Sequence, residues 1–172
     1  QDCHNPYDSF ALHKAALIAC GVIPIQSEAN LQTILRKLGG GIYLSTQVYG
    51  VPKGSGLGTS SILSGACVKG IFDFLGLERS ESEIYEVVLG MEQIMSTGGG
   101  WQDQVGGLTE GIKFITTRPG IDQHLVVEKL ELTEKTKQEL KERFALIYTG
   151  QRRLARNLLR DVVGGYIGGR PE

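Results

Sequence analysis

Apolar residues recur with the 3.6-residue period of an α-helix in several stretches of the chain. The clearest case covers residues 81–95, where Ile84, Val88 and Met91 fall on one face. Ser80 and Glu83 form a capping-box pattern at the start of that stretch. Similar patterns predict helices over residues 8–20, 29–38, 59–75 and 151–163, and the charged run 133–143 predicts a solvent-facing helix.

Alternation of apolar and polar positions predicts strands over residues 42–49, 107–117 and 124–132, and a short apolar run predicts a buried strand over 144–148. The predicted strands come in hairpin-like pairs and the helices come in blocks. This order favours an α+β fold, with a mixed or antiparallel sheet and helices on one side, over a doubly wound parallel sheet. The length of 172 residues is that of one domain.

Charge and cysteine content exclude several classes of protein. Eighteen Lys and Arg residues against 19 Asp and Glu residues give a net charge of −1, so no overall basic field favours nucleic acid or an anionic membrane. The longest apolar runs are about half the length of a membrane span, so no transmembrane helix is expected. The three cysteines, Cys3, Cys20 and Cys67, are too few and too widely spaced for a disulfide scaffold or a zinc knuckle, and fit a reducing cytoplasm.

Glycine is abundant, with 24 residues, and is clustered. The most informative cluster lies between the first predicted strand and the helix predicted over 59–75. Its residues are Pro52, Lys53, Gly54, Ser55, Gly56, Leu57, Gly58, Thr59, Ser60 and Ser61. Alternating glycines allow successive backbone N–H groups to point at one centre, where the positive end of the helix dipole also acts.

The three hydroxyl side chains at the end of this glycine loop can hydrogen-bond phosphate oxygens or coordinate Mg²⁺. The spacing matches neither the Walker A loop nor the dinucleotide-binding fingerprint. The alternative interpretation is a flexible turn with a serine helix cap.

Glu92 falls on the apolar stripe of the helix predicted over 81–95, four residues after Val88. It also stands near the end of that helix, where the dipole disfavours an anion. A carboxylate placed there needs a partner. A divalent cation is one candidate, and solvent or an arginine at the edge of the stripe is the alternative.

Asp103 lies in a second glycine-rich segment, residues 97–107, which we expect to form a tight loop open to a small ligand. A loop aspartate is also a common turn former, so the residue alone does not decide between the two roles. Trp101, in the same segment, could cover a sugar face or belong to the core. The three histidines share no metal-ligand spacing.

Together these segments resemble the GHMP small-molecule kinases. The family pattern Pro-x-x-x-Gly-Leu-Gly-Ser-Ser-Ala corresponds to residues 52–61, with Thr59 and Ser61 as mild departures. The family's glutamate, about eleven residues before its catalytic aspartate, corresponds to Glu92, eleven residues before Asp103. The Gly-Gly-Gly-Trp-Gln-Asp-Gln segment at 98–104, and segments 148–150 and 153–157, are similar to the fucokinase-like branch of the family.

The resemblance implies ATP-dependent phosphorylation of a sugar hydroxyl with Mg²⁺, most specifically the anomeric hydroxyl of L-fucose. It implies that Pro52 and residues 54–61 form the ATP site, with the backbone N–H groups of 54–61 on the phosphates. It also implies that Ser60 and Glu92 hold Mg²⁺ and that Asp103 accepts the proton of the sugar hydroxyl. Candidate substrate contacts are Gly100, Trp101, Gln102 and Arg153. A surface role for Arg153 is an equal alternative.

The resemblance also implies that residues 1–172 are one partial N-terminal GHMP domain, without the C-terminal domain of the family. On that interpretation the chain alone is expected to be inactive, and uncovered sheet edges would favour self-association. Two other functions stay open: a heptose-phosphate kinase of the same superfamily, and a nucleotide- or sugar-binding module that transfers nothing. Only a kinase requires Glu92 and Asp103 together with the glycine loop.

Overall fold

The computed structural model describes residues 5, 8–24, 30–52, 54–95, 99–120, 124–150 and 155–169. The elements within them are α1 (Ala11–Ala19), α2 (Leu31–Leu38), α3 (Thr59–Phe74), α4 (Glu81–Ile94), α5 (Gln102–Leu108), β1 (Lys113–Thr117), β2 (Leu125–Lys129), α6 (Glu134–Arg143) and α7 (Ala155–Ile167). This combination of helices and a small antiparallel sheet confirms the α+β class. In this part of the chain no helix is long and apolar enough to cross a membrane.

The hydrophobic core lies among α1, α3 and α4, which pack on one another. Small residues on α1, such as Ala15 and Ala16, let that helix approach α3 and α4 closely, and both are fully buried. Val68 on α3 and Val88 and Met91 on α4 are also fully buried in the same cluster. The apolar stripe predicted for α4 is therefore its core-facing side.

Helices α4 and α2 both begin at a side-chain cap, and the cap of α4 is the one that the sequence predicts. The Ser80 hydroxyl accepts the backbone N–H of Glu83, and the Glu83 carboxylate accepts the Ser80 N–H at 2.8 Å, so the capping box of α4 is confirmed. Helix α2 begins at Asn30, whose side chain accepts the N–H of Thr33, and ends at Gly39 in the left-handed conformation.

Strands β1 and β2 form an antiparallel hairpin in which Ile115 pairs with Val127 and Thr117 pairs with Leu125. These four residues are half-buried, whereas the alternating positions, such as Phe114 and Val126, are exposed. The hairpin predicted from alternation is thus present. Its first strand is shorter than the predicted 107–117, because residues 107 and 108 belong to α5.

Two other predicted strands are wrong. Residues 42–46 keep the predicted alternation of half-buried and exposed side chains, but within the described chain the segment 42–49 pairs with no strand. Residues 144–148 form neither a strand nor a buried segment, since Phe144 is 74% exposed and Ile147 83% exposed. Alternation marks which side of a segment is apolar, whereas a strand also requires a hydrogen-bonding neighbour.

The segment predicted as a tight loop around Asp103 is largely helical, because residues 102–108 form α5. Val105 of this helix is fully buried, and α5 packs on both α3 and α4. The glycine-rich composition disfavours a helix locally. Tertiary packing against two neighbouring helices overrides that preference here.

Candidate active site

The glycine loop turns through three left-handed residues before α3 begins. Gly54, Gly56 and Gly58 have φ angles of 74°, 79° and 63°, a region that other L-residues adopt only with strain. Gly58 is the N-cap of α3, and no side chain caps the helix. The first-turn N–H groups of α3 are thus left to an external acceptor, as expected for a phosphate-binding helix N-terminus.

Asp103 lies directly against this helix N-terminus. A Cβ atom built on Gly58 would stand 3.5 Å from both Cβ and Cγ of Asp103 and 3.7 Å from its Oδ1. Asp103 is otherwise exposed, in the first turn of α5. Two segments 45 residues apart in the sequence therefore place a carboxylate beside a candidate phosphate site.

The short distance between α3 and α5 depends on two glycines. A Cβ on Gly65 of α3 would overlap the side chain of Leu108, and a Cβ on Gly107 of α5 would overlap the side chain of Ile62. The missing side chains let the two helices approach closely, and this approach carries Asp103 to the glycine loop. Gly107 thus has a packing role that its position in a glycine-rich segment did not reveal.

Glu92 is buried, with 6% of its surface exposed, and it accepts a hydrogen bond from the Ser61 hydroxyl at 2.5 Å between Oγ and Oε1. The family resemblance predicts that Glu92 and Ser60 hold the metal together. The structure instead leaves Ser60 exposed in the first turn of α3 and turns Ser61 inward onto the carboxylate. Glu92 and the glycine loop are therefore joined through Ser61.

Burial raises the pKa of the Glu92 carboxyl, and the nearby Asp103 carboxylate raises it further. The hydrogen bond from Ser61 and the Gln104 amide oppose this rise, because both favour the ionised form. A buried carboxyl with a raised pKa, close to a second carboxylate and to a helix N-terminus, suits a divalent cation. Among the described residues no group of three His, Cys, Asp or Glu side chains could hold a metal by itself.

The carboxylate of Glu92, close to that of Asp103, fits Mg²⁺ that is bound together with a nucleotide. Mg²⁺ sites in phosphoryl-transfer enzymes use one or two carboxylates and complete their octahedron with phosphate oxygens and water. The Ser55 hydroxyl of the glycine loop is also buried without a hydrogen-bond partner among the described residues. A buried hydroxyl without a partner in this loop is consistent with a hydrogen bond to an oxygen of a bound phosphate.

Trp101 faces away from Asp103. It is half-buried and lines an open groove of about 400 Å³ with residues of α4, including Tyr85 and Glu86, and with His124 and Leu125 near β2. Side chains two positions apart on a helix point to nearly opposite sides. The structure therefore does not bring Trp101 next to the candidate base.

The structure describes two of the other predicted substrate contacts, Gly100 and Gln102. Gly100 and Gln102 are exposed at the start of α5, and a Cβ on Gly100 would stand 2.6 Å from Oε1 of Gln102. Arg153 lies outside the described residues, as does Lys53 of the glycine loop. Pro52 and Leu57 are exposed, and Thr59 is half-buried.

Gln104 is a buried polar residue near the candidate site that is absent from the predicted site residues. Its side chain is 1% exposed and lies in the same helix as Asp103. The signal that could have found it is the spacing of Gln104 and Leu108, which share one face if residues 102–108 are helical. Interpreting the segment as a loop removed that signal.

Comparison with known proteins gives matches that cover different lengths of the chain. Residues 27–111 match the family described as GHMP kinases N terminal domain. The chain is 42% identical over 160 residues to a bifunctional fucokinase/GDP-fucose pyrophosphorylase of Arabidopsis thaliana, covering 93% of this chain and 14% of that protein. It is 40% identical over 166 residues to an L-fucokinase/L-fucose-1-P guanylyltransferase of Bacteroides fragilis, covering 95% of this chain and 17% of that protein. No solved structure matches the chain.

Proposed function

Because residues 27–111 match the family of GHMP kinase N-terminal domains, we propose that the chain forms the phosphate-binding and proton-accepting part of an ATP-dependent sugar kinase. The observation that carries the proposal is the contact between Asp103 and Gly58, which sets a carboxylate beside the uncapped N-terminus of α3. A glycine turn with only a structural role would not require a carboxylate beside Gly58.

In the proposed reaction the chain mainly binds and orients its substrates. The backbone N–H groups from Gly54 to Ser61 hold the ATP phosphates. Asp103 Oδ1 accepts the proton of the attacking sugar hydroxyl. Mg²⁺, when bound, neutralises charge on the transferring phosphoryl group.

Glu92 is the proposed carboxylate ligand of that Mg²⁺, with Ser60 on the exposed side of the same helix turn. Ser61 donates a hydrogen bond to Oε1 of Glu92 and so connects that carboxylate to the first turn of α3. The position of Ser61 also allows an interpretation in which this hydroxyl, and not Ser60, orients the metal ligand.

The proposed sugar is L-fucose, phosphorylated on its anomeric hydroxyl. The support is the identity of 40–42% to two proteins whose names include fucokinase. The chain spans 14–17% of the length of those relatives, so the reaction belongs to a larger protein. We further propose that residues 1–172 are one partial N-terminal domain, inactive by themselves and prone to self-association.

Nucleotide binding and turnover test the proposal separately. This chain should bind Mg·ATP in a calorimetric titration. In the longest protein that contains residues 1–172, Asp103→Asn should keep Mg·ATP binding and lower L-fucose-dependent ADP release by about 10²–10⁴-fold, because the amide cannot accept a proton. Glu110→Gln is a matched control, since Glu110 is an exposed carboxylate just after α5.

Three results would contradict the proposal in different ways. Near wild-type turnover of Asp103→Asn would make this residue structural. ADP release with a heptose phosphate and not with L-fucose would identify the heptose-phosphate kinase alternative. Binding of Mg·ATP without turnover of any sugar by the longest protein would favour a binding module.

A further inference from the structure

Ser61 departs from the GHMP family pattern at a buried position. The pattern ends in alanine here, whereas this chain has serine. Ser61 is 4% exposed, in the first turn of α3. Burying a hydroxyl costs free energy unless the group is hydrogen-bonded, and alanine would avoid that cost. The reason for a serine at this position therefore lies in what its hydroxyl contacts.

The hydroxyl of Ser61 contacts the carboxylate of Glu92 directly. Its Oγ donates to Oε1 at 2.5 Å, a distance typical of a hydroxyl bound to an ionised carboxylate. Water competes little for this hydrogen bond, because both residues are buried. The bond also joins α3 to α4, which pack on each other. Glu92 is therefore tied to the helix turn that follows the glycine loop.

The backbone of Ser61 belongs to the candidate phosphate site. Ile62 is the first residue of α3 whose N–H reaches a backbone carbonyl, that of Gly58. The N–H of Ser61 is thus one of the first-turn donors that a bound phosphate can use. One residue therefore connects the candidate phosphate site, through its backbone, with the candidate metal ligand, through its side chain.

We propose that Ser61 is a positioning residue that orients the Glu92 carboxylate toward the metal of a bound nucleotide. The inference rests on the proposed function, in which Glu92 holds Mg²⁺. A hydrogen bond to Oε1 restricts rotation of the carboxylate and keeps it in a fixed place relative to the first turn of α3. A neutral hydroxyl does this without cancelling the negative charge that the cation needs. Removing a hydrogen-bond partner of a metal ligand typically weakens metal binding by about 10–100-fold.

The test measures Mn²⁺ binding by this 172-residue chain in the presence of a non-hydrolysable ATP analogue, using electron paramagnetic resonance. Ser61→Ala removes the hydroxyl and supplies the alanine of the family pattern. Ser64→Ala is the matched control, because Ser64 is fully buried on the same helix and its hydroxyl has no hydrogen-bond partner among the described residues. Glu92→Gln is measured alone and combined with Ser61→Ala. Circular dichroism melts of the metal-free variants show whether each is folded at the assay temperature.

Ser61→Ala is expected to bind Mn²⁺ about 10–100-fold more weakly than the wild type, whereas Ser64→Ala should bind it equally well. In the Glu92→Gln background, adding Ser61→Ala should cause no further loss, because a hydroxyl that acts through the carboxylate then has nothing to orient. A serine with only a structural role would change the melting temperature and leave the metal affinity of the folded chain unchanged.

Several results would overturn the inference. Mn²⁺ affinity of Ser61→Ala within twofold of wild type, or tighter, would show that the hydroxyl does not orient Glu92. Equal losses from Ser61→Ala with and without Glu92→Gln would mean that Ser61 acts independently of the carboxylate. Unfolding of Ser61→Ala at the assay temperature would assign the hydrogen bond to stability instead. Absence of Mn²⁺–nucleotide binding by the wild type would overturn the proposed function as well, which distinguishes that failure from the others.

Discussion

The contact between Gly65 and Leu108 gives a quantitative test of the helix packing that positions Asp103. In Gly65→Ala the new Cβ would overlap both methyl groups of Leu108 and approach its Cγ to 3.0 Å. The overlap can be relieved only if α5 moves away from α3 or if Leu108 leaves the interface. Inserting a methyl group into a packed interface of this kind costs about 1–3 kcal/mol.

Helix propensity acts in the opposite direction. Alanine is favoured over glycine inside a helix by about 1 kcal/mol, so Gly65→Ala should be destabilised by a net amount of about 0–2 kcal/mol. Gly70→Ala, on the same helix, is the matched control, because a Cβ on Gly70 meets nothing within 4 Å. That control should gain about 1 kcal/mol at most, and the two variants should differ by about 1–3 kcal/mol.

Urea and thermal unfolding followed by circular dichroism measure this difference. For a chain of this size each kcal/mol corresponds to about 2–4 °C in Tm. Adding Leu108→Ala removes the atoms that the new methyl group meets. The double variant should therefore recover part of the loss, with a coupling of about 0.5–3 kcal/mol.

Equal stability of Gly65→Ala and Gly70→Ala would refute the close packing of α3 and α5. So would a double variant whose loss is the simple sum of the two single losses. Either result would also remove the reason for placing Asp103 beside the glycine loop.

The remaining predictions concern the nucleotide loop and two buried ionisable groups. Gly58→Val should abolish ATP binding in calorimetry, whereas Gly76→Val, which carries similar strain at φ 69° with no neighbour within 4 Å, should not. The folded pKa of Glu92 is raised above 4.5, so its contribution to stability is complete below that pH and is lost as pH rises through the folded pKa. Glu92→Gln should therefore stabilise the metal-free chain at pH 7, by about 1 kcal/mol in urea unfolding, and an unchanged or lower value would contradict this. Burial and the Glu81 carboxylate raise the pKa of Tyr85 to about 12 from 10, so stability should fall between pH 10 and 12, and Tyr85→Phe should show a smaller fall in alkaline melts.

Elements that depend on local pattern can be predicted from the amino-acid sequence. Helices α3 and α4 lie close to their predicted bounds, because an apolar stripe, a capping box and flanking glycines act within a few residues of one another. The same locality explains why the glycine loop and the unusual position of Glu92 were visible in the sequence. A left-handed turn and a carboxylate on an apolar stripe are properties of neighbouring residues.

Features that depend on residues far apart in the sequence are set by packing between helices and strands. Residues 102–108 are helical because α3 and α4 bury Val105 and Gln104, although the local glycines oppose a helix. Residues 42–49 lack the strand that their alternation predicted, since no pattern within a segment specifies its hydrogen-bonding neighbour. The inward turn of Ser61 onto Glu92 follows from how α3 rests on α4, because adjacent helix residues point about 100° apart and packing alone selects which one faces the carboxylate.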